Sequence, residues 1–87
     1  LIYIDDYPGR YRGMLSHHLF SDIPGPAGEK ELIEFAESIG MDRRWIQKQG
    51  TFFVHFDCMA GMIPRAKAAG AAEVSFKKFV KVKGRKK

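Results

Sequence analysis

A chain of 87 residues, 45% of them hydrophobic and 13% aromatic, can build one small core and is too apolar to stay disordered. Its single cysteine, Cys58, excludes an intrachain disulfide framework and a cysteine-rich zinc site, and no apolar run reaches the length of a membrane-crossing helix. The net charge of +5, from 15 basic and 10 acidic residues, favours a polyanionic partner.

The chain opens on "LIYIDD", where Ile2, Tyr3 and Ile4 predict a strand that ends at Asp5-Asp6. That opening lacks a charged region followed by an apolar run, so no secretion signal is expected, and an unpaired Cys58 fits a cytoplasmic setting. "YPGRYRG" reads as a turn or mobile loop, punctuated by Pro8, Gly9 and Gly13. "MLSHHLF" predicts a second strand, with Met14, Ser16, His18 and Phe20 on one face and Leu15, His17 and Leu19 on the other. The two prolines of "SDIPGPAG" predict a linker that continues neither strand nor helix.

Helical spacing of Leu32, Ile33, Phe35, Ala36 and Ile39 predicts a helix over 29–39, with Gly40 as its left-handed cap and Met41 folded back. "DRRWIQKQG" is a turn or short helix, and "TFFVHF" a third strand. A helix is expected within 59–69, with Pro64 in its first turn and Gly70 closing it. "AEVSFKKFVKV" reads as a last strand that runs into a basic end.

The expected fold is therefore α/β or α+β: a small single sheet of about four strands covered by two helices, in the order β-β-α-β-α-β. Strands joined through helices are expected to be parallel where they neighbour. Residues 1–82 form the expected globular domain and 83–87 a basic tail. From Lys77 onward the sequence carries Lys77, Lys78, Lys81, Lys83, Arg85, Lys86 and Lys87 with no acid, whereas Glu29, Glu31, Glu34 and Glu37 gather on the first helix. Such a tail suits nucleic acid, and equally a solubilising terminus.

All three histidines, His17, His18 and His55, fall in two predicted strands. His55 and Asp57 lie two apart and so share a sheet face, about 7 Å apart along the strand. That spacing suits embracing a metal or a substrate oxygen better than a relaxed hydrogen bond between them. It also leaves open a simpler pattern, in which Asp57 caps the next helix and His55 stands alone. Of Asp5 and Asp6, adjacent at a strand end, one is expected to reach a site and the other to hold the loop. Trp45 with Arg43, Arg44 and Gln47 could make a stacking and phosphate-binding edge, or Trp45 could plug the core. Glycine-rich phosphate loops, H-E-x-x-H and EF-hand spacings are absent, as is the paired His-x-Thr/Ser signature of two-histidine phosphoesterases, and Cys58 points away from His55.

Taken together, "YIDD", "SHHLFSD", "RRWIQ", "HFD" and "GAAEV" resemble, in order and spacing, the bacterial and phage family catalogued as domain of unknown function 4031. The resemblance covers nearly the whole chain and places that family's polar positions on Asp5, Asp6, His18, Trp45, Gln47, His55 and Asp57. Departures occur at His17, where serine or cysteine is usual, at Phe56 in place of tyrosine, and along Cys58 to Pro64. An arginine early in the following helix falls on Arg65, and the "IPGPAG" loop is longer than usual. The resemblance implies a site without naming its task.

The residues lead to an expected Asp/His site for a phosphate-bearing ligand, a nucleotide or nucleic acid. His18, His55 and Asp57 are its candidate catalytic groups, and Asp5, Asp6, His18, His55 and Asp57 its candidate ligands for a divalent ion (Mg, Mn or Zn). Arg10, Arg12, Arg43, Arg44, Trp45 and Gln47 are its candidate ligand contacts. Metal-assisted phosphodiester hydrolysis is one expected outcome. A non-catalytic nucleotide-sequestering or nucleic-acid-binding protein, or a phage-borne module that binds a host protein, is the other, with self-association allowed and no membrane partner expected.

Overall fold

The fold is seen in a computed structural model that describes residues 1–11 and 13–83. Arg12, expected at the ligand, and Arg85, Lys86 and Lys87 of the expected tail lie outside the described residues. Six short strands and three helices follow the order β1 (Ile2–Ile4), β2 (Gly9–Tyr11), β3 (Met14–Ser21), α1 (Gly25–Ser38), a 3-10 turn (Arg43–Trp45), β4 (Ile46–Gln47), β5 (His55–Met59), α2 (Ile63–Ala68), β6 (Ala72–Glu73) and α3 (Phe76–Lys83). The class is α+β, a mixed sheet in the order β4-β5-β3-β1-β6, with β2 paired to β3.

Among the described residues only β1 and β6 run parallel, with Tyr3 opposite Ala72 and Ile4 opposite Glu73. The strands β3 and β5, although joined through α1, are antiparallel, which corrects the expectation of a parallel crossover there. The 3-10 turn and β4 lie between α1 and β5 and give the chain a further reversal.

Helix α1 begins earlier than its apolar spacing suggests. Pro24 is its N-cap and a proline occupies its first turn, where the missing N–H costs nothing, so "IPGPAG" starts the helix instead of forming a linker. Position 28 takes glycine because a Cβ there would lie 1.7 Å from the Ile23 carbonyl oxygen. At the other end Gly40 takes φ +95, its N–H bonds the Glu37 carbonyl at 3.1 Å, and Met41 N–H bonds the Ala36 carbonyl at 2.9 Å. These are the two bonds of the left-handed cap that the sequence predicts, and Met41 is buried.

One face of the sheet carries Ile2, Ile4, Leu19, Phe56 and Cys58, packed against Leu32 and Ala36 of α1 and Ile63 and Ala66 of α2. Leu19, Phe56 and Cys58 are fully shielded. The opposite face takes the alternate residues: Tyr3 beside Phe20, and His18 beside Asp57. Its cover is α3, and here the sequence expectation of a final strand is corrected. Only Ala72–Glu73 pair in the sheet, and Phe76–Lys83 is helical. Phe76 and Phe79, three apart, fall on one helical face and lie over the histidines, whereas a strand would have sent them to opposite faces.

Candidate functional site

The register between strands builds the site. Ile4 pairs with Leu19, and Gly9 pairs with Ser16, so the four residues Asp5 to Pro8 lie opposite only His17 and His18. The two extra residues bulge out of the sheet edge, a device that re-aims side chains. Both histidines fasten the bulge. His17 donates from Nδ1 to the Tyr7 carbonyl at 2.8 Å, and His18 donates from Nδ1 to Oδ2 of Asp5 at 2.7 Å. The other Asp5 oxygen accepts from the backbone N–H groups of Tyr7 at 3.0 Å and His18 at 2.8 Å. The Asp5 side chain is wholly buried, and all its bonds are of the strong charge-assisted kind.

Across the sheet, β5 brings Asp57 directly opposite His18. His55, two residues earlier on the same face, donates from Nδ1 to the Phe53 carbonyl at 2.6 Å. A carbonyl can only accept, so Nδ1 carries a proton; Nε2 donates toward Asp57 when the ring is protonated and offers a lone pair when it is not. That Nε2 lies 3.4 Å from Oδ1 of Asp57, closer than the strand repeat alone suggests, because the two side chains lean together. The contact with His55 is the main reason the Asp57 carboxyl is held below its usual range; partial burial opposes it, and the His55 and His18 charges reinforce it.

One ligand atom each from His18, His55 and Asp57 lie within 4.8 Å of one another, and among the described residues they form the one such group. With both Nδ1 atoms engaged, Nε2 is the ring atom each histidine has left to offer. At bond lengths near 2.1 Å tetrahedral ligand atoms stand about 3.4 Å apart, so the widest spacing closes by about 1.4 Å around an ion. Two imidazoles with one carboxylate, each imidazole held by a protein acceptor behind it, suit a first-row divalent cation with open positions. Both histidine side chains are 12% exposed and Asp57 is 43% exposed, so solvent reaches the carboxylate side.

Aromatic rings enclose the imidazoles. Phe79 stacks on His18 at 4.1 Å and 8°, Tyr7 stacks on its ring at 4.6 Å, and His55 meets it edge-on at 4.8 Å. The α3 helix that supplies Phe79 is itself tied to the bulge: Asp6 accepts the Phe76 N–H at 2.7 Å. The adjacent aspartates have separate partners, Asp5 with His18 and Asp6 with the start of α3. Neither belongs to the group of three ligand atoms, in contrast to their expected place as metal ligands.

The expected ligand contacts are not brought together there. Arg43 is paired with Glu37 at 2.8 Å and Arg44 with Asp42 at 2.7 Å, and Trp45, 53% exposed, plugs no core. Arg10 pairs with Leu15 in register and so lies on the face opposite His18. Gln47 sits on the histidine face opposite His55, with its side chain donating to the Trp45 carbonyl at 3.3 Å. The reading of Asp57 as a helix cap also fails, since α2 starts after Met62, which makes no side-chain cap bond. Missed from sequence were Tyr7, Phe76 and Phe79 as the enclosing rings. The i, i+3 spacing of Phe76 and Phe79 was the signal for the helix that carries two of them, masked by the β-branched valines around it.

Among the described residues no helix is long and apolar enough to cross a membrane. Comparison with curated proteins and with solved structures finds no match to the chain. A family model matches residues 2–86, the span that carries "YIDD", "SHH" and "HFD": the chain is a member of the family described as Protein of unknown function (DUF4031).

Proposed function

We propose that His18, His55 and Asp57 hold a divalent cation and that the site acts on a phosphate-bearing ligand, a nucleotide or nucleic acid, by metal-assisted phosphodiester hydrolysis. The observation that carries this reading is the pair of committed Nδ1 atoms. Asp5 and the Phe53 carbonyl each fix a tautomer, which leaves the two Nε2 lone pairs and the Asp57 carboxylate at one place. A cation held there would supply positive charge to a phosphoryl oxygen and lower the pKa of a bound water. Two imidazole ligands favour Zn over Mg and Mn, which suit oxygen ligands better. The positive net charge supports an anionic substrate.

Thermal unfolding of the metal-stripped chain, titrated with Zn or Mn, tests the cation. Binding at about a hundredfold over the dissociation constant adds about 2.7 kcal/mol, and in a domain of this size that raises Tm by about 10 °C or more. His55→Gln and Asp57→Asn, both close in volume to the parent side chains, should abolish the shift and any cleavage of a chromogenic phosphodiester. An equal shift in both variants would remove these residues from the site. A shift in the parent chain without any cleavage would reduce the reading to a metal-dependent binder.

A further inference from the structure

The cations of this chain divide into two populations. Several on α1, the 3-10 turn and α2 are paired with carboxylates: Lys30 with Glu34, Arg43 with Glu37, Arg44 with Asp42 and Lys67 with Glu73. On α3, Lys77, Lys78 and Lys81 have no carboxylate partner among the described residues, and Lys78 instead stands 5.3 Å over the Tyr3 ring. The same helix presses Phe79 and Phe76 onto His18, so α3 covers the histidine face while Lys77, Lys78 and Lys81 fall on its outer side. Lys77 and Lys81 lie one helical turn apart, about 6 Å along the axis.

Beside this basic helix stand two partly open aromatic rings. Tyr7, 37% exposed, packs on His18 from the bulge, and Phe53, 42% exposed, lies on the β5 side with its ring 6.4 Å from Phe79. Lysines that follow a backbone, with exposed rings that accept unpaired bases, are the two components of single-strand recognition. A membrane surface fits less well, because the apolar face that an amphipathic helix would insert is already spent: Phe79 is 6% exposed.

We infer that the ligand of this site is single-stranded nucleic acid, its phosphates tracked by Lys77, Lys78 and Lys81 and its bases stacked on Tyr7 and Phe53, so that the strand passes His18, His55 and Asp57. This deepens the reading given under Proposed function and rests on it for the chemistry, while the binding itself needs no metal.

The test is fluorescence anisotropy of a labelled twelve-residue oligothymidine with the full chain in EDTA, over a range of salt. Because metal is absent, failure here is separable from failure of the cation site, which is read by thermal shift without nucleic acid. The parent chain should bind, and Lys77→Gln/Lys78→Gln/Lys81→Gln should lower the slope of log affinity against log salt by about 2, at about 0.7 per lost phosphate contact. Phe53→Ala should weaken binding about fivefold or more with the slope unchanged, as loss of one stacked base predicts. Circular dichroism of each variant confirms that the fold is kept. Unchanged affinity and slope in the triple variant would overturn the proposal. So would thymidine monophosphate competing as well per mole as the oligomer, or lysine-dependent binding to anionic vesicles with none to the oligomer.

Discussion

Asp5 and His18 form a buried pair: Oδ2 of Asp5 accepts from Nδ1 of His18 at 2.7 Å, with the carboxylate fully shielded. The same carboxylate holds the backbone of the bulge through Tyr7 and His18, so one side chain fixes both a loop and an imidazole. Asp5→Ala leaves these donors without an acceptor and should cost about 1–3 kcal/mol, a fall in Tm of roughly 4–8 °C per kcal/mol. Asp5→Asn should keep more of the fold yet weaken metal binding about 10- to 100-fold, since the carboxylate no longer supports His18. Calorimetric metal titration beside thermal unfolding separates the two effects; equal metal affinity in Asp5→Asn would show that the pair is only structural.

Asp6 has a different task at the start of α3, accepting the Phe76 N–H. Its replacement by alanine removes a helix cap and should cost about 1 kcal/mol. The expected signature is local: amide exchange accelerates across α3, while the metal-induced thermal shift survives. Uniform acceleration across β3 and β5 would mean that α3 and the sheet open as one unit.

Acidification should act on the site through Asp57. Its carboxyl is held low chiefly by His55, so the folded value lies below the unfolded one. The resulting stabilisation is present above the ordinary aspartate range and is lost as pH falls through the depressed value. Asp57 is partly exposed, so the effect is small, and it should show as a modest difference in acid-unfolding midpoint between the parent chain and His55→Gln. Identical midpoints would contradict the coupling.

Cys58 sits on the other face of the same strand, fully buried, and burial pushes its thiol up to about 11. The native chain should therefore resist alkylation at pH 8 and react readily once unfolded. The raised value also makes stability constant below the unfolded thiol pKa and decreasing from about pH 9 toward 11, where the unfolded chain gains by ionising. Rapid labelling of the native protein would contradict the packing of β5 against the helices.

Much of this site is local geometry and therefore legible in the sequence. Alternation along a strand puts His55 and Asp57 on one face, whatever the rest of the chain does. The cap at Gly40 and Met41 is equally local, because left-handed backbone favours glycine. What only the tertiary structure decided is register and cover. Nothing near His18 in sequence says that Asp57 will lie opposite it, since pairing follows from how the apolar faces of β3 and β5 meet α1 and α2. The bulge that turns Asp5 onto His18 appears only when two strands are compared residue by residue. The last segment has both helical and strand character in its residues, and the choice fell to packing: as a helix it lays Phe76 and Phe79 together over the imidazoles, which a strand cannot do. Arg43 and Arg44 were engaged by near neighbours in the chain instead, Glu37 six residues and Asp42 two residues earlier.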